Sequence, residues 1–264
     1  MDGAQMRGFL ILAILYLGPH ISFPTGGTAT EEIFLRWFHF IAGFMWIGLL
    51  YFFNLVGTPS MKEIDAASRG KVFPVIMSRA MWWFRWSAVL TVLFGIRYFM
   101  IILKADATNL GNPAMQWRWL GEWFLVWIVA YVFIYPLQMP WKGVVELRWL
   151  RAALIAAVVI AASWIVLDLN SSPQSSNSHL SISVGGGLGL VMLLNVWGVV
   201  WRVQKRLIAW TRANAKDGTP MPAEAERLRA WSNFAARTAF WLSFPMLFFM
   251  GAADHYPFLS GITD

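Results

Sequence analysis

Cysteine is absent from this 264-residue chain. That excludes disulfide scaffolds, thiolate metal sites, iron–sulfur clusters and covalently attached c-type haem. Charge is also scarce, at 13% of residues, while 58% are hydrophobic. Soluble domains carry roughly 25% charged and 45–50% apolar residues, so the chain has too little polar material to cover a water-facing surface. A soluble enzyme and a disordered linker are both excluded. A bilayer accepts what water does not, because lipid tails tolerate apolar helix faces as long as every backbone polar group is bonded within the chain. The excess of 21 Lys and Arg over 14 Asp and Glu would fit a nucleic-acid binder, but the cations sort by loop rather than forming one patch.

About 20 mostly apolar residues carry a helix across the hydrocarbon layer. Seven runs qualify, near 8–23, 33–56, 82–103, 118–136, 149–167, 181–203 and 234–252. The first has its apolar core at 9–17 behind Arg7, as a signal peptide would. Without a small-x-small cleavage site it reads as a helix. The expected fold is therefore all-α: one polytopic transmembrane bundle of about seven helices, spanning 1–264 as a single domain. Segments 57–81, 137–148 and 204–233 hold the loop cations, whereas 24–32, 168–180 and the tail after Ala252 hold only carboxylates. Lys104 is the exception, on an outer loop. Lysine and arginine stay on the cytoplasmic side, which puts the N-terminus inside and the C-terminus outside. The expected setting is a bacterial inner (cytoplasmic) membrane.

Seventeen tryptophans invite a cofactor-cage reading, but Trp82, Trp83, Trp86, Trp117, Trp119, Trp141 and Trp149 sit near expected helix ends and read as interfacial anchors. Gly185, Gly186, Gly187 and Gly189 follow no strand, so they read as a close helix contact rather than a phosphate loop. Segments 168–180 and 212–226 read as solvated connectors.

An ionisable group at membrane depth costs about 2.5–3.5 kcal/mol on insertion scales, so each needs a partner or a job. Arg36, His39, Asn54, Arg85, Arg97, Glu122, Asn195 and Arg237 are the exceptions along the runs. Arg85 and Arg237 read as snorkelling, and Asn54 and Asn195 as interhelical hydrogen-bonding residues. Glu122, the one clear intramembrane carboxylate, cannot build a bundle-type di-iron site alone. All four histidines, His20, His39, His179 and His255, fall in the outer half or outside it. Imidazole ligates haem iron, copper and non-haem iron, and arginine forks pair with carboxylates such as haem propionates. The candidate cofactor set is His39, His255, Arg36 and Arg97, with His39, His255 and His179 as candidate metal ligands. Against it, a single buried histidine is more often an interhelical hydrogen-bonding residue, and His20 and His179 lie in segments that read as solvated loops.

Four stretches carry a family resemblance: RWFHFIAGFMWIGLLYFFNLVGTPSMKEIDAASRGKV (36–72), RAMWWFRWSAVLTVLFG (79–95), LLNVWGVVWRVQKRLI (193–208) and FWLSFPMLFFMGAADHYP (240–257). Together they resemble the membrane domain of bacterial urate hydroxylases, the urate oxidase N-terminal domain, over roughly residues 33–257. The resemblance implies a multi-helix membrane domain that oxidises urate toward 5-hydroxyisourate and hands electrons to a c-type cytochrome. In that family the cytochrome is typically fused at the C-terminus. This sequence has no Cys-x-x-Cys-His, so the resemblance implies a separate periplasmic c-type cytochrome as acceptor. His39 and His255 carry over only as motif positions.

The expected function is thus an integral-membrane redox protein, a candidate oxidoreductase, holding haem b or a histidine-ligated copper or iron but no c-type haem. The alternative is a non-catalytic or electron-relay subunit of a larger respiratory, photosynthetic or oxygenase complex. Membrane lipid and other membrane subunits are the expected partners, and nucleic acid is not. A transporter would need broken helices around a midplane charge; Pro136 and Pro245 give that reading little support.

Overall fold

The computed structural model describes residues 26–140 and 147–259, with residues 5, 6, 8 and 12 ahead of them. Among the described residues the chain is helical, with no strand. Six helices are long and apolar enough to cross a membrane: α1 (Gly27–Glu63), α2 (Ala66–Asn109), α3 (Met115–Gln138), α4 (Arg148–Asn170), α5 (Asn177–Asp217) and α6 (Ala225–Ala252). This is a multi-pass helical bundle, with six spans among the described residues where about seven were expected over the whole chain. The run at 8–23, with His20, and Trp141 lie outside the described residues apart from isolated positions.

Three connectors expected as loops are largely helix. At 57–81, α1 runs on to Glu63, and Asp65 starts α2 by accepting from the Ala67 and Ser68 amides, both at 3.0 Å. At 204–233, α5 continues to Asp217 and stops at Gly218, whose φ of 77° suits only glycine comfortably. The outer connector 168–180 shrinks to 171–176. Charge keeps a segment out of lipid, but it does not keep the segment from being helical. At about 1.5 Å per residue, the 44 residues of α2 are about twice as long as the hydrocarbon layer is thick. Its first turns therefore project beyond the bilayer at the cation-rich end.

The membrane offers no hydrophobic drive between helices, so packing and hydrogen bonds must hold the bundle. Within its most apolar stretch, α5 is 72% buried, against 22–39% in the other five helices. It is the hub, packed against α2, α3, α4 and α6, while α1 packs on α2 and α6. Its glycines make that possible. A Cβ on Gly187 would overlap the Trp127 indole, and one on Gly185 would come within 3.0 Å of Phe249 Cβ. Trp119, Trp123 and Trp127, four residues apart on α3, are all at most 2% exposed. Trp123 and Trp127 both donate Nε1–H to the Ser183 carbonyl, at 2.9 and 3.0 Å. Trp119 is thus a core residue and not an interfacial anchor, whereas Trp82, Trp83, Trp117 and Trp149 are exposed as expected.

Two π-helical turns interrupt the spans, Phe52–Gly57 in α1 and Val196–Val200 in α5. Asn54 lies in the first and bonds its own helix at Leu50 O, 2.9 Å away. Asn195 adjoins the second and is fully buried, with no partner for its amide among the described residues. Neither forms the interhelical bond expected. Tyr131 of α3 donates to the Leu194 carbonyl at 3.0 Å beside the second π turn. The ring of outer helices is incomplete: α4 and α6 both pack on α5 but share few contacts with each other, Arg151 on Phe234 being one. A cleft runs between them.

Candidate functional site at the outer end

An even number of spans returns the chain to the end where α1 began. Arg36 in α1 meets Asp254, just past α6, at 3.0 Å. Arg97 in α2 grips Glu31 through Nε and a terminal nitrogen, at 2.7 and 2.8 Å. The acidic connectors and the candidate histidines therefore gather at one end, as the charge alternation requires. Both candidate guanidinium forks are already engaged by carboxylates of this chain.

His39 sits one turn below Arg36 in α1. Its Nδ1–H donates to the Thr91 carbonyl of α2 at 2.8 Å. A carbonyl can only accept, so the ring carries its proton on Nδ1, and Nε2 has no hydrogen-bond partner among the described residues. Gly95 makes room: a Cβ there would lie 3.0 Å from His39 Cε1. The surroundings are aromatic, with Phe38 of α1 stacked on Phe94 of α2 at 5.3 Å between centroids.

His179 is the surprise. It opens α5 fully buried rather than solvated. Nδ1 lies 3.1 Å from Asp106 Oδ2 and Nε2 lies 3.2 Å from Asn170 Oδ1. The ring packs against Trp119 and Phe99, at centroid distances of 4.9 and 5.9 Å. Asp106 Oδ2 also accepts from the Ser176 amide and hydroxyl, at 2.8 and 2.9 Å. One buried carboxylate thus ties α2 to the start of α5, while Asn170 brings in the end of α4. Asp106, only 5% exposed, is a buried carboxylate near the end of α2. Glu122 pairs with Arg118 one turn earlier in α3, at 2.7 Å.

His255 lies in the exposed turn after α6, beside Asp254. The outer end thus brings His39, His179 and His255 to one side of the bundle without converging them. Among the described residues no group of three or more His, Cys, Asp or Glu side chains could hold a metal ion. The large cavity lies elsewhere, in the cleft toward the opposite end, and no histidine among the described residues lines it.

Sequence reasoning missed Asp106 and Asn170 because both fell in segments read as polar connectors. The one signal for a buried partner was the spacing of Trp119, Trp123 and Trp127, which marks a single helix face. No protein-family model, curated protein or solved structure matches the chain. The likeness to the urate hydroxylase membrane domain rests on the four stretches alone.

Proposed function

We propose that the chain is an integral-membrane redox subunit of a bacterial inner membrane, with haem b held by His39 and electrons passing to a periplasmic c-type cytochrome. The single observation that supports this is the state of His39. Metal-binding histidines typically donate their second ring nitrogen to a carbonyl or carboxylate, which fixes the tautomer and frees the other nitrogen, and His39 does so at Thr91. Haem asks for fewer protein ligands here than bare copper or iron would. A macrocycle brings four nitrogens and asks the protein for as little as one axial ligand, whereas a bare ion needs several side chains and no such group is described. When bound, the haem would supply one-electron transfer. The chain's own part is to fix the His39 ring through Thr91, keep space through Gly95, and surround the site with aromatic, water-poor side chains.

Urate is the substrate we propose from the sequence resemblance. Adding water to urate and removing two electrons and two protons gives 5-hydroxyisourate, so two one-electron cytochromes would balance one turnover. A subunit without a redox group is the runner-up, favoured by the pairing of Arg36, Arg97 and His179 within the chain. An absorption spectrum of protein purified from haem-replete cells separates the two. The redox reading expects a Soret band that His39→Ala abolishes, with Gly95→Ala weakening it by crowding the ring. A colourless wild-type protein, or full haem occupancy in His39→Ala, defeats it. Urate consumption with added cytochrome c then tests the substrate.

A further inference from the structure

The cleft between α4 and α6 has a volume of about 1670 Å³. Small-molecule pockets occupy about 300–1,000 Å³, so the cleft has room for a larger ligand. Its walls change character along their length. Toward the outer end they are apolar, formed by Val159 and Ile160 of α4, Leu188 of α5, and Leu242 and Phe249 of α6. Toward the opposite end, among the described residues, six cations line it, Lys62, Arg69, Arg148, Arg151, Arg229 and Arg237, against one carboxylate, Glu226. That carboxylate is already engaged by Arg229.

The junction between the two zones is built rather than accidental. Arg151 is only 5% exposed. It donates to the Leu137 and Met139 carbonyls at 2.6 and 3.1 Å and lies 4.2 Å from the Phe234 ring centroid. Gln138 lines the same level, fully buried, with neither amide atom partnered among the described residues. Gln204 Oε1 and Trp231 Nε1 line it too and are likewise unpartnered. Buried polar groups without partners are rare, and each calls for an explanation.

From this juxtaposition we infer that the cleft binds an anionic phospholipid of the cytoplasmic leaflet, its acyl chains between α4 and α6 and its headgroup among Lys62, Arg69, Arg148 and Arg237. An acyl chain matches the apolar length. A negatively charged phosphate matches a mouth whose described residues include six cations and one already paired carboxylate. Glycerol ester oxygens can accept from the Gln138 amide and the Trp231 indole, and a headgroup hydroxyl can donate to Gln204. The cations lie on the side that the positive-inside rule assigns to the cytoplasm, where anionic lipids attract basic segments. The inference is independent of His39, which lies at the other end of the bundle.

Native mass spectrometry of the full chain in neutral detergent tests it, with phosphatidylglycerol and phosphatidylcholine of identical acyl chains as probes. The expected result is about tenfold or greater preference for phosphatidylglycerol, lost in Arg148→Ala/Arg237→Ala. A second pair on other helix segments, Lys62→Ala/Arg69→Ala, should reduce the preference as well, with circular dichroism showing retained helicity. Equal binding of the two lipids, or displacement of phosphatidylglycerol by inorganic phosphate alone, overturns the inference. Benzoyl-phenylalanine placed at Ala156 in the cleft wall should cross-link to phospholipid. A cross-link instead to a peptide of this chain, to a second copy or to another protein overturns it too.

Discussion

The two ends of this bundle treat charge in opposite ways. At the outer end, Arg36, Arg97 and Arg118 each meet a carboxylate of this chain, and His179 is held between Asp106 and Asn170. At the other end, cations outnumber carboxylates around an open cleft and most have no carboxylate partner among the described residues. The outer polar groups hold the fold together, and the inner ones remain available to something outside the chain. On the closed side His39 has one ring nitrogen tethered to Thr91 and the other without a hydrogen-bond partner among the described residues.

Removing the outer knot should have the largest effect. Asp106→Ala leaves the Ser176 amide, the Ser176 hydroxyl and the His179 ring without their acceptor in a buried site, a loss of about 3 kcal/mol or more. A large fall in thermal unfolding temperature is expected, and an unchanged one would remove Asp106 from the centre of the outer end. The second contrast sets the closed seam against the open cleft. Gly187→Ala drives a methyl into the Trp127 indole and should cost about 1–3 kcal/mol or more as overpacking. Ala156→Leu adds more volume at an exposed position on the cleft wall and should be near neutral. Equal losses in the two variants would mean that the cleft is closed in the folded protein.

The smallest effect belongs to Asp65, outside the spans at the inner end. The Ser68 backbone amide, then its side chain, then the Ala67 amide hold the Asp65 carboxyl below its ordinary value. A depressed folded-state value means that its contribution is present above the unfolded value and is lost as pH falls through the folded one. Asp65→Ala should therefore lower the unfolding temperature slightly at neutral pH and match wild type in strong acid. A constant difference at every pH would show that the cap does not act through its charge.

How far the sequence could be read depends on which property set the outcome. The span at 149–167 emerged as Arg148–Asn170, and the span at 118–136 as Met115–Gln138, because length and hydropathy decide what lipid accepts. The same criterion ended α1, α2 and α5 too early, since it registers where lipid stops and not where the helix stops. Arg36 and Arg97 were legible as outer residues, but their partners Asp254 and Glu31 were not, because those pairs join distant parts of the chain. Trp119 was misplaced for a related reason: hydropathy locates a residue along the membrane normal and is silent on whether it faces lipid or another helix.

By itself, then, the sequence determined that the chain is a helical membrane protein with its cations at one end, because the free energy of moving apolar and charged groups between water and lipid depends on local composition. Only the tertiary structure decided that α5 is the hub, that Asp106 and His179 close the outer end, that Thr91 tethers one ring nitrogen of His39, and that a cationic cleft lies between α4 and α6. Those features depend on which helix faces meet, and that is settled by small-residue contacts and hydrogen bonds between residues far apart in the chain.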